Sequence, residues 1–221
     1  MSPASARMCI GIIAGVAALT STGASDARSA LRDKVWEVVQ RTKTTRATYT
    51  TYVWNWIKGE DGSPPNPWRA RFHDGDRARL EGWEHRSIAD CGSGRGVAIS
   101  NDPKGRHAGA SVGRYTCGID TTERFKSAAY LGLVDTPWGR ADRIRLVVGQ
   151  TARVYDVDKE GIVVGETWYD TSPYATRPAD RVILHQTIFA VLHTVPSHDM
   201  FEERSLRKAY TPAQFQAPPK L

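Results

Sequence analysis

Cysteine is scarce in this chain, and what there is falls at spacings that exclude most cysteine chemistry. There are three Cys in 221 residues, at positions 9, 91 and 117, with no C-x-x-C pair. Zinc ribbons and dithiol redox centres need closer spacing. Long apolar runs are also lacking. The longest, Cys9 to Leu19, has about 11 residues where a spanning helix needs roughly 20. There is no HExxH. His185 and His193 on one strand would stand about 26 Å apart, at roughly 3.3 Å per residue. No metal ligands are therefore assigned. No cofactor motif is found either. The glycine-rich CGSGRG at 91–96 lacks the Lys-Ser/Thr of a phosphate loop and runs into strand-like VAIS, so it reads as a hairpin turn.

The N-terminus holds a positive signal. Arg7 precedes the apolar run, and Thr22-Gly23-Ala24 places small residues after it. That order describes a cleavable secretory signal over residues 1–24, with Ala27 as a second cleavage point. Cys9 precedes the run, so lipidation there is not expected. Residues 25–221 are expected to form one β-rich domain, periplasmic or secreted, with no transmembrane segment after cleavage. An exported chain with two remaining cysteines argues for a Cys91–Cys117 disulfide.

The net charge is +6, and about +5 once Arg7 is removed, with 29 Lys and Arg against 24 Asp and Glu. Nucleic acid is not expected as a partner. Arg69, Arg71, Arg77, Arg79, Arg140, Arg143 and Arg145 recur at i and i+2, which lines one strand face. A solvated face is the expected reading, with an anionic partner as the other. Glu81, Glu84, Asp90 and Glu166 read as solvent-facing strand positions, not as a glycosidase pair. Gly109-Ala110-Ser111-Val112-Gly113 matches the letters of a nucleophile elbow. It has no following helix, so no catalytic residue is assigned.

Periodicity predicts one helix over 28–43, with Leu31, Val35, Val38 and Val39 on its apolar stripe and Asp26 as N-cap. The period then becomes two. Residues 49–57 read as a strand with Tyr52, Trp54 and Trp56 on one face. Strands 68–73 and 77–83 flank a turn at Asp74-Gly75, and 87–90 and 96–100 flank the CGSGR turn. Residues 101–112 read as a long loop, 114–119 as a strand and 121–133 as a short helix. A meander follows at 142–148, 152–157 and 162–169, then a long strand at 181–195. The tail is expected to pack along a sheet edge. The class is α+β, mostly antiparallel β: a curved sheet or unclosed β-barrel with the N-terminal helix packed on it.

Seven Trp fall largely on strands, and they suggest either core packing or the lining of an apolar cavity. Tyr52, Trp54, Trp56 and Trp83 are the candidate ligand-binding residues. The element order, Arg77-Ala-Arg-Leu-Glu81, Ile88-Ala-Asp90, the meander ARVYDVDKEGIVVGETWYD and Phe215-Gln-Ala-Pro218 resemble the LolA/LolB-like periplasmic carriers and their outer-membrane lipoprotein-sorting relatives. The resemblance implies an unclosed barrel with a helical lid over a cavity for acyl chains. It implies a lipid or lipoprotein ligand. The cysteine pair and the 101–112 loop depart from that family, and none of its residues is carried over. An exported hydrolase and a non-catalytic cell-envelope interaction module remain as the alternatives.

Overall fold

The computed structural model describes residues 21–57, 69–82, 85–100, 110–173, 182–194 and 197–215, with only the backbone at 21–28 and 55–57. Helix α1 spans Ser21–Thr44. Asp26 therefore lies inside the helix and does not cap it. Eleven strands follow among the described residues: β1 Tyr49–Ile57, β2 Arg69–Asp74, β3 Arg77–Gly82, β4 His85–Asp90, β5 Arg95–Ser100, β6 Ala110–Arg114, β7 Ser127–Thr136, β8 Gly139–Val148, β9 Thr151–Val157, β10 Val163–Asp170 and β11 Val182–Leu192. Three short 3-10 turns close the described chain, at His198–Phe201, Glu203–Arg207 and Ala213–Phe215.

The strands make one antiparallel sheet in the order β6-β5-β4-β3-β2-β1-β11-β10-β9-β8-β7. It is not closed: β6 and β7 are its two edges. It is nevertheless strongly curled. Val53 on β1 shares a core cluster with Ala141 on β8, four strands away. In a flat sheet that separation is about 19 Å. One source of bending is visible in the pairing. Leu131, Val164, Ile183 and Phe189 are extra residues where the register slips, and each such bulge bends its strand.

The β7 to β9 end of the concave face is covered by α1. Val35, Val38 and Val39 are fully buried against Ile144, Leu146, Tyr155 and Val157. Leu31, at the far end of the expected stripe, is 50 % exposed. Two glycines let the helix end come close. At Gly118 a Cβ would run into the Thr42 carbonyl, and at Gly161 (φ +88°) into the Arg41 carbonyl.

The convex face is covered by the C-terminal turns. Tyr52, Ala70, Phe72 and Met200 form its core, with Phe189, Tyr210 and Phe215 packed around them. The tail therefore lies across the sheet face, not along an edge.

Several sequence expectations are corrected. Residues 121–133 hold no helix: Ser127–Thr136 is β7, paired with β8 throughout. The strand expected at 114–119 ends at Arg114, and Ala110–Val112 belongs to β6. The first hairpin turns at Gly75-Asp76, one residue late, with φ +59° at Gly75. Arg79 and Glu81, expected in solvent, are 1 % and 0 % exposed. Asp142 and Glu166 are also buried. A strand's alternation shows two faces, but it does not show that both are covered.

Candidate ligand cavity

Between the concave face and its covering lies a cavity of about 400 Å³. Its walls follow from strand register, because residues paired across strands share a face. One row runs Thr51, Arg71, Leu80, Ser87 across β1 to β4, and the next runs Tyr49, His73, Ala78, Ala89. From the other arm of the sheet come Tyr155 and Arg153 on β9, with Glu166 and Trp168 opposite them on β10. The roof is the irregular strap Tyr115–Asp120, together with Thr42 at the end of α1.

The strap is held at several points. Cys117 is bonded to Cys91, with Cα atoms 5.5 Å apart, so the expected disulfide is present. Ile119 N–H donates to Thr42 Oγ1 at 3.0 Å, and Lys43 donates to Thr121 just beyond the strap. The Tyr115 ring packs over Gly96, where a side chain would collide with it.

The cavity is amphipathic. Arg71 on β2 reaches Glu166 on β10 across two intervening strands, at 3.5 Å. Glu166 Oε1 also accepts from Trp168 Nε1 at 2.7 Å. The Arg153 guanidinium lies 4.5 Å over the Trp168 ring and pairs with Glu123 at 2.6 Å. Burial pushes the Tyr49 phenol up to about 12, and that of Tyr155 higher still, so both stay neutral donors. Thr51 is 1 % exposed, and its hydroxyl has no partner among the described residues.

His73 stacks on Tyr49 with ring centres 5.1 Å apart. Its Nδ1–H donates to the Ala47 carbonyl at 2.8 Å, leaving Nε2 3.8 Å from Cys91 Sγ. Burial holds its pKa below the usual histidine value. The Ala47 bond and nearby Asp74 and Asp76 oppose that shift, and Arg46 adds to it. A depressed folded pKa means that the unfolded chain takes up the proton first as pH falls. His73 therefore contributes stability above about pH 6.5 that is lost below it. His73→Asn keeps a donor for Ala47 without the titration. Urea midpoints compared at about pH 7.5 and about pH 5 are expected to fall less in this variant than in the wild type. Equal falls would remove His73 from the acid response.

The sequence-derived ligand residues lie elsewhere. Tyr52 and Trp54 point to the convex face, buried among Phe72, Phe189 and Phe215, with the Tyr52 and Phe215 ring centres 4.3 Å apart. The Trp56 side chain and Trp83 lie outside the described residues. Ser111 sits within the exposed edge strand β6, not at a strand-to-helix elbow. Among the described residues no three His, Cys, Asp or Glu gather in a metal-binding group. No described helix is long and apolar enough to cross a membrane.

No family model and no curated protein matches the chain. Among solved structures it is similar to an uncharacterized conserved protein from Thermus thermophilus, at TM-score 0.39 and 11% identity, over 84% of this chain and 96% of that one. It is also similar to a DUF1329 family protein from Desulfovibrio piger, at TM-score 0.37 and 12% identity, over 80% and 98%. A third is a domain from Vibrio parahaemolyticus described as outer membrane lipoprotein-sorting, at TM-score 0.26 and 9% identity, over 80% and 99%. Likenesses of this degree assign no function, and the reading below rests on the cavity.

Proposed function

We propose that the chain is an exported binding or carrier protein that holds one hydrophobic or lipidated ligand between the curved sheet and its roof. The observation that carries this reading is the cavity of about 400 Å³. Core interiors are normally packed with few voids larger than a water molecule. Sites for single small ligands start at roughly 300 Å³ and combine apolar walls with a few polar groups. Tyr155, Trp168, Leu80, Val163 and Ile119 supply the apolar walls here. The Cys91–Cys117 disulfide supports export, because such bonds persist in oxidising compartments. In this reading residues 1–24 are the export signal.

The cavity wall offers a direct test. Ala89 lines it from β4. Ala89→Phe would fill part of the space. Wild-type protein is expected to take up a fluorescent fatty acid, and the variant to take up at least about tenfold less at equal concentration. Equal uptake by both would place the ligand outside this cavity and end the proposal.

A further inference from the structure

The cavity has a polar side and an apolar side, and the polar side is incompletely satisfied. Thr51 and Arg71 are direct partners on β1 and β2, so their side chains leave the same face next to each other. The Thr51 hydroxyl can donate one hydrogen bond and accept two, yet it is buried with no partner among the described residues. Arg71 carries five N–H donors. Among the described residues its ion pair is with Glu166 at 3.5 Å, longer than an N–H···O hydrogen bond of roughly 2.7–3.2 Å. Glu166 is itself tied to Trp168 Nε1.

The other charges near the cavity are wholly or partly engaged. Arg153 is stacked on Trp168 and paired with Glu123, while its Nε has no hydrogen-bond partner among the described residues. Asp120 accepts the Thr122 N–H at 2.8 Å. Arg71 and Thr51 thus stand side by side with donors left for the open volume, and the Tyr49 phenol lines it in the adjacent row. Beyond Arg71 the first row continues into Leu80 and Ser87, and beyond His73 the second continues into Ala78 and Ala89; Leu80, Ala78 and Ala89 carry no polar side chain. Val163 and Ile119 add further apolar side chains to the lining.

We propose that the ligand is a single-chain amphiphile whose anionic oxygen head, a carboxylate or phosphate, sits on Arg71 and Thr51 with its chain toward Leu80 and Ala89. The proposal rests on the reading of this cavity as a ligand site and adds the chemistry of the ligand's polar end. The planar guanidinium fork matches two oxygens of such a head at once. One cavity of this volume takes one chain.

Calorimetric titration of decanoate, decyl phosphate and decanol into wild type, Thr51→Val and Arg71→Gln tests it. Wild type is expected to bind at least one anion about tenfold more tightly than decanol. Whichever anion binds more tightly identifies the head as carboxylate or phosphate. Arg71→Gln is expected to lose the preference while keeping its decanol affinity, which also shows that it has folded. Thr51→Val is expected to weaken the anions several-fold while its denaturation midpoint stays equal or rises, since the change removes an unsatisfied buried hydroxyl. Equal affinity of wild type for decanol and both anions, or a preference that survives in Arg71→Gln, overturns the head assignment and leaves the cavity reading standing. Failure of all three compounds to bind any variant overturns both.

Discussion

Glu81→Ala is expected to cost about 3–5 kcal/mol of unfolding free energy, because it leaves a buried arginine without its counter-charge. The Arg79–Glu81 pair is fully buried, with Nε 2.8 Å from Oε1. It acts as a clamp on the C-terminal turns. Arg79 donates to the carbonyls of Met200 at 2.7 Å and Lys208 at 2.6 Å, and to Ser205 Oγ at 2.9 Å. Its guanidinium lies 4.9 Å from the centre of the Tyr210 ring. Glu81 accepts the Tyr210 and Thr211 N–H groups and the Thr211 hydroxyl, at 2.6 to 3.0 Å. Losing either partner strands these groups away from water. Replacing both by apolar residues, as in Arg79→Met with Glu81→Leu, is expected to recover part of the loss. Urea denaturation measures all three variants. A loss below about 1 kcal/mol for Glu81→Ala would show that water reaches the pair and that the tail is not clamped by it.

Replacing Cys91 and Cys117 by serine is expected to cost about 3–4 kcal/mol, the chain-entropy value for a loop of this span. The two residues are 26 apart in sequence. The functional effect is separable from the stability effect. The bond ties the strap Tyr115–Asp120 to the β4–β5 turn, while Thr42 and Lys43 hold it from the helix. Without the bond the strap keeps the helix-side anchors and the bond from Tyr115 N–H to the Gly94 carbonyl at 3.0 Å. A ligand under it is then expected to dissociate faster, while the rows of Arg71 and His73 stay in place. Stopped-flow release from oxidised wild type and from the double serine variant reads this. Equal release rates would mean that the strap does not gate the cavity, and an unchanged urea midpoint would mean that the bond does not constrain the unfolded chain.

The strands legible in the sequence are those whose register supplies a plain alternation. β1 matches the expected 49–57, and β8 to β10 follow the expected meander at 142–148, 152–157 and 162–169. Residues 121–133 misled because Ala, Leu, Glu and Lys favour helix locally. The long ladder between β7 and β8 overrides that preference. The burial of Arg79 and Glu81 was not legible, because the groups that satisfy them lie more than 120 positions downstream. The same blindness explains the aromatic face. Tyr52 and Trp54 announce a face that needs cover, and Phe215 and Met200 from the tail provide it. The opposite face, carrying Thr51, Tyr49 and Arg71, borders the open volume. The disulfide could be read from the cysteine count and the expected compartment, but its role in holding the strap over the cavity needed the fold.

The choice between those two faces is the centre of the functional reading, and a bound ligand's position decides it. A crystal of the wild-type protein soaked with a bromine-labelled decanoate would locate the chain by anomalous scattering. The expected peak lies on the concave side, near Leu80 and Ala89 and under the strap. A peak among Tyr52, Trp54 and Phe215, or none in protein shown to bind the same compound in solution, would contradict the assignment of the ligand to the cavity.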